Sequence, residues 1–140
     1  SSLTFATIAP GATNSTSNND PIYVNNTGNQ NVTSGNVRVT AIDLLGQTNN
    51  AYNISAVNFT VDVNTGGTNP ECGLTTVMVN GTATGVTSSI LPRGNNSKGI
   101  TAGDGVEQLY VCLKNAPAAN MLPSQTYSAT GGSAWTISVV

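Results

Sequence analysis

In Val57-Asn58-Phe59-Thr60-Val61-Asp62-Val63 every second residue is apolar, and this period of two recurs along the chain. A backbone that sends successive side chains to opposite faces is a strand half-buried against a core. The four apolar residues of this run are therefore expected to face inward. Asn36 to Leu44 has the same form, with Val37, Val39 and Ala41 on one face. So does Val106 to Lys114, where Leu109, Val111 and Leu113 are predicted to face the core and Cys112 to share the opposite face with Tyr110. No stretch spaces its apolar residues at the i, i+3, i+4, i+7 positions of an amphipathic helix. Ala116 to Leu122, bounded by Pro117 and Pro123, has room for one helical turn at most.

Turn chemistry separates these runs. Pro10-Gly11, the Asn25 to Asn29 cluster, Leu45 to Asn50, Asn64 to Pro70 and Pro92 to Gly99 all read as turns or loops. Asn80-Gly81 predicts a hairpin joining Gly73–Val79 to Thr82–Leu91, because a type I′ turn needs positive φ at both central residues. Gly131-Gly132 predicts a last hairpin between Gln125–Thr130 and Ser133–Val140, with Trp135, Ile137 and Val139 on one face. The alternation in Ala51 to Val63 slips at Asn53 to Ala56, which predicts a bulge or break there. The opening stretch reads as a strand with Leu3, Phe5 and Thr7 on one side and Thr4, Ala6 and Ile8 on the other. The expectation is an all-β fold over residues 1–140: a single β-sandwich or jelly roll of about 8–9 mostly antiparallel strands.

Charge bears on function. Only 7% of residues are charged, against roughly 25% in typical soluble domains. With four basic residues, six acidic ones and a net charge of −2, the chain lacks the clustered Lys and Arg of a nucleic-acid or anionic-lipid partner. Apolar residues still make up 38%, many of them β-branched, so the chain is expected to fold rather than stay disordered. A surface this poor in charge invites association. Either sugars cover it or an assembly buries it. No apolar run reaches the roughly 18 residues of a membrane span. The first residue is Ser1 rather than Met, which is read as removal of a secretory leader.

Catalytic sets are hard to build from these residues. The carboxylates Asp20, Asp43, Asp62, Glu71, Asp104 and Glu107 are scattered over loops and outward strand positions, at no spacing that predicts a pair. Without His there is no Ser-His-Asp set and no zinc ligand set. The Gly-rich run Gly99 to Gly105 leads into a strand, unlike a phosphate-binding loop, and Asp104 alone does not make a calcium loop. A non-enzyme without cofactor or metal is expected. The two cysteines, Cys72 and Cys112, read as a structural disulfide lying over an edge rather than between sheets, with two buried free thiols as the alternative. A disulfide implies an oxidising compartment.

Seven Asn-X-Ser/Thr sequons begin at Asn14, Asn25, Asn31, Asn53, Asn58, Asn80 and Asn95. A chain this rich in Asn, Ser and Thr gathers sequons by chance. Most of these nonetheless fall in predicted loops, and Asn58 falls on an outward strand position, so several are expected to carry N-linked glycans. Trp135 with Tyr23, Tyr52, Tyr110 and Tyr127 raises a sugar-binding platform, although core positions are the expected reading. Lys98 and Lys114, each with nearby Asn, raise an isopeptide crosslink.

Ile8-Ala9-Pro10-Gly11, then Ile22-Tyr23-Val24-Asn25-Asn26-Thr27-Gly28, then Val37-Arg38-Val39 resembles the TasA/camelysin-type biofilm fibre proteins and archaeal bundling-pilus subunits, over about the first 45 residues. Leu122-Pro123-Ser124-Gln125-Thr126-Tyr127 resembles a Leu-Pro-x-Gly-x-Tyr surface-domain pattern, with Gln where Gly is usual. The first resemblance implies an extracellular, cell-surface homopolymer built by strand donation. Residues 1–9 would be the donor strand, and Leu3, Phe5 and Ile8 the side chains entering a neighbour's groove. The alternative is a monomeric surface module: an adhesin, an S-layer domain or a carbohydrate-binding domain.

Overall fold

The computed structural model describes residues 3–63, 72, 76–93, 105–129 and 134–140. The fold is an all-β sandwich of antiparallel sheets, and the described residues form eleven short strands. The first sheet is built on β9 (Val106–Asn115), its longest strand. On one side β9 pairs with β6 (Phe59–Val63), which in turn pairs with β7 (Thr76–Val77). On the other side it pairs with β1 (Thr13–Thr16) and β2 (Ile22–Asn25) in succession. A second sheet orders β10 (Tyr127–Ser128), β4 (Leu44–Gly46) and β5 (Asn53–Ile54). A third orders β11 (Thr136–Val139), β3 (Val37–Thr40) and β8 (Ala83–Gly85).

The period of two locates the core. Val37, Val39 and Ala41 are buried with Phe59, Val61 and Val63 from β6 and with Leu109, Val111 and Leu113 from β9. Alternation along β9 sends Gln108, Tyr110 and Cys112 to its other face, where Tyr110 and Cys112 form a separate buried cluster with Cys72. The disulfide therefore lies on the outside of the first sheet, against its central strand rather than over an edge.

Several local expectations give way to tertiary packing. Residues 3–9 form no strand. Phe5 and Ile8 are three positions apart, and a period of two cannot turn both to one side. By leaving strand geometry, the segment packs Leu3, Phe5 and Ile8 all against its own core. Val57 is exposed, because the slip at Asn53 to Ala56 becomes a 3-10 turn over Ala56–Asn58 that buries Ala56 instead. Among the described residues neither predicted hairpin forms. Of the Asn80-Gly81 pair only Gly81 has positive φ, at 68°, as at the third position of a type II turn. The flanking strands part there, β7 to β6 and β8 to β3. Likewise β10 joins β4 while β11 joins β3. The Gly131-Gly132 pair, the Asn64–Pro70 turn and the Gly94–Gly99 part of the Pro92 loop lie outside the described residues.

Candidate functional site

The four described carboxylates with recorded partners serve separate parts of the fold. Asp43 accepts the Ala56 N–H at 2.7 Å and the Ser55 hydroxyl at 3.2 Å, fixing the turn before β6. Asp62 accepts the Val63 N–H at 2.8 Å and the Ser88 hydroxyl. Asp20 fills a gap in the ladder. Thr16 pairs with Cys112 and Ile22 with Leu109, so six steps along β1–β2 face three along β9, leaving three extra residues. In this bulge the Val111 N–H donates to the Asp20 carboxylate at 3.3 and 3.4 Å, and the Ser17 N–H donates to the Val111 carbonyl at 3.3 Å. A side chain thus replaces a missing backbone acceptor. Burial raises the Asp20 pKa, partly offset by hydrogen bonds from Ser17 and the Val111 N–H.

Glu107 points into the core from β9 and is only 1% exposed. Its Oε1 accepts the Ile90 N–H at 3.1 Å. Burial raises its pKa, and the Ile90 bond offsets part of that. The folded chain therefore holds the Glu107 proton more tightly than the unfolded chain does. Its contribution to stability is fully present below the ordinary value of 4.5 and is lost as pH rises through the raised value. Glu107→Gln keeps an acceptor for Ile90 and cannot ionise. The variant should match the wild type in Tm below about pH 4 and gain on it steadily as pH rises through the window between the ordinary and raised values. Melting curves from pH 4 to 8 check this, and a constant offset would contradict it. Among the described residues no group of three or more His, Cys, Asp or Glu is placed to hold a metal ion.

The aromatic residues do not converge. Trp135 packs edge-on against Phe59 at 5.1 Å, and its Nε1 donates to the Ile42 carbonyl at 2.8 Å. Tyr110 lies with the disulfide on the other face of the first sheet. The Tyr127 hydroxyl accepts the Leu122 N–H at 2.6 Å, while Tyr23 is exposed on β2. The Lys114 ammonium donates to the Cys72 carbonyl at 2.7 Å, and Lys98 lies outside the described residues.

The cysteines meet as Cys72–Cys112, Cα to Cα 5.4 Å. Among the sequon residues, Asn14, Asn25, Asn31 and Asn80 are exposed, Asn53 and Asn58 are half-buried, and Asn95 lies outside the described residues. Asn58 ends the 3-10 turn, with its Nδ2 donating to the Ser55 carbonyl at 3.2 Å.

Backbone supplies the most distinctive surface. Among the described residues β11 pairs on one side only, with β3. Ile137 stands opposite Val39 and Val139 opposite Val37, so both point to the core side of the sheet. They are nonetheless 40% and 49% exposed, and Val140 is 64% exposed. The core thus runs out to solvent along an unpaired strand edge. A depression of about 190 Å³ lies at the end of β11, lined by Val139 with Asn25, Asn26, Thr27, Gly28, Val32 and Leu91. The sequence pattern placed Trp135, Ile137 and Val139 on one face; alternation reports a face but not whether a further strand covers it.

Residues 3–9 form the counterpart. Leu3, Phe5 and Ile8 are half-buried against the core, and the Phe5 ring lies tilted at 5.7 Å from Phe59, whose other aromatic contact is Trp135. The segment is pinned at Thr4, whose N–H donates to Asn19 Oδ1 at 3.0 Å and whose carbonyl accepts the Asn18 N–H at 2.8 Å. Pro10-Gly11 then makes a type II turn: Ala12 N–H donates to the Ala9 carbonyl at 3.0 Å, and Gly11 has φ 85°. Gly11 N–H donates to the Ala116 carbonyl at 2.7 Å, which anchors the turn to the domain. No helix among the described residues is long and apolar enough to cross a membrane. No family model, curated protein or solved structure matches the chain.

Proposed function

We propose that this chain is a non-enzymatic structural subunit of an extracellular filament, in which residues 3–8 of one copy pair along β11 of the next. The observation that carries this reading is the open β11 edge, with Ile137 and Val139 exposed on its core side. An unpaired edge presents free N–H and C=O groups, and an added strand satisfies them while its side chains fill the apolar opening. The N-terminal segment suits that role. Among its described residues three apolar side chains pack on its own domain and Thr4 makes two hydrogen bonds, one to the Asn19 side chain and one from the Asn18 N–H, with no strand ladder to break. Exchange of such an element between identical copies is the low-cost route to assembly, and copying it head to tail gives an open chain rather than a closed dimer. The Pro10-Gly11 turn is the pivot. The disulfide accords with an oxidising, extracellular setting.

The test has two arms. Native material should show long fibres by electron microscopy. Ile137→Lys changes a surface residue, so the subunit should fold with an unaltered Tm but fail to elongate fibres. A chain lacking residues 1–9 loses the packing of Leu3, Phe5 and Ile8, so its Tm should fall, but it should still accept a strand and fail to donate one. Fibres formed at wild-type rate by both variants would overturn the proposal. A stable monomer in the native material would support the surface-module reading instead.

A further inference from the structure

We infer that N-linked glycans on Asn14, Asn25 and Asn53 shield the lateral edges of the sandwich. This rests on the extracellular part of the proposed function and not on strand donation. Three sequon asparagines lie inside strands: Asn14 in β1, Asn25 in β2 and Asn53 in β5. Among the described residues each of those strands is an edge, β1 and β2 on β9 and β5 on β4. The sheet of β11, β3 and β8 carries no sequon asparagine in its strands. Modification thus falls on edge strands of the first two sheets, and the sugar on Asn25, which lines the depression beside Val139, would also stand at the end of β11.

An edge strand without charge is a template for unwanted pairing, and proteins blunt such edges with charges, prolines or kinks. With 7% charged residues this chain has few charges to spend there. The β1–β2 edge already carries other blocking features: left-handed backbone at Asn14 (φ 55°), the three-residue bulge, and Pro21, which has no N–H to offer. A bulky hydrated sugar at Asn14 and Asn25 closes the rest. The transfer joins Asn Nδ2 to the anomeric carbon of a lipid-phosphate-linked oligosaccharide. The anomeric C–O bond breaks, the lipid phosphate leaves, and the amide gives up one proton. Asn58 offers a contrast within the chain: its Nδ2 already donates to Ser55, and the Thr60 of its sequon is buried.

Glycopeptide mass spectrometry of the native chain should find sugar on Asn14, Asn25 and Asn53. The edge sequons are removed together by Thr16→Ala, Thr27→Ala and Asn53→Gln; the first keeps Asn14, whose left-handed φ other side chains tolerate poorly. Light scattering of this variant should show association beginning at lower protein concentration than in the wild type. A control lacking the loop sequons, by Asn31→Gln and Thr82→Ala, should show no such shift. Glycosidase trimming of the glycans on the folded wild type, which cuts within the sugar and keeps each Asn, repeats the comparison without a sequence change. Bare Asn14, Asn25 and Asn53, or equal onset in the edge variant and the control, would overturn the inference. The scattering comparison is run in the Ile137→Lys background, which should not elongate, so failure here and failure of strand donation are read separately.

Discussion

Replacing both Cys72 and Cys112 by Ala should lower the unfolding free energy by about 4 kcal/mol, the chain-entropy value for a bridge closing a loop of this order. The two residues are 40 apart in sequence. Between them lie β7, which belongs to the first sheet, and β8, which belongs to the third. The bridge therefore ties a segment shared by two sheets back to the strand at the centre of the first. Cys112 is fully buried with Tyr110, and Lys114 holds the Cys72 carbonyl from two residues further along the same strand. The double variant also leaves a small cavity in that cluster. In a domain of this size the loss corresponds to a fall in Tm of roughly 10 °C. Urea unfolding of wild type and variant measures it. A loss under about 1 kcal/mol would mean that the bridge joins segments the fold already holds together.

Phe59→Ala should cost a further 3–5 kcal/mol, roughly, through lost transfer energy and the cavity left behind. Phe59 is 1% exposed and lies between the rings of Phe5 and Trp135. Truncation removes both aromatic contacts at once, each worth about 0.5–1.5 kcal/mol beyond area burial. The effect should also be local in a readable way. Phe5 loses its seat, so residues 3–9 should become susceptible to proteases at temperatures where the rest of the domain is intact. Phe59→Leu, which keeps most of the volume, should cost under about 1.5 kcal/mol and leave that segment protected. Equal protease resistance in wild type and Phe59→Ala would show that Phe5 is not what holds the segment down.

The sequence made the central strands legible and their neighbours much less so. In β9 and β3 the alternation named the core residues correctly: burial follows the pleat in β3, and β9, buried on both faces, still turns Leu109, Val111 and Leu113 to the core. The same logic failed for Val57 and left open whether Ile137 is covered. Val57 falls on a 3-10 turn whose position depends on Asp43 reaching across to Ala56. Ile137 lies on the correct face of an edge strand, and edge status depends on which strands are missing. Turn residues were equally partial guides. Asn80-Gly81 marks a reversal of the chain, but whether the next strand returns to the last one or crosses to another sheet is settled by non-local pairing. The expected eight or nine strands became eleven where long runs were cut, as Ala51–Val63 was cut into β5, a turn and β6. The Cys72–Cys112 pairing was available from the count of two, whereas its place on the outer face of the first sheet followed from the parity of Cys112.

The way β1 lies on β9 has a mechanical consequence. The chain enters the domain at the Gly11 turn, bonded to Ala116, and runs straight into β1, antiparallel to β9. A pull on the N-terminal segment along that axis is carried in shear. The bonds joining β1 to β9 stretch together instead of parting one after another, and β9 is itself gripped along its length by β6. The Cys72–Cys112 bridge sits at the residue that faces the last position of β1, Thr16. Tension arriving through residues 3–9 therefore meets the most strongly braced strand of the molecule first, and a subunit tethered by its N-terminus would resist extension at the point where a fibre would load it.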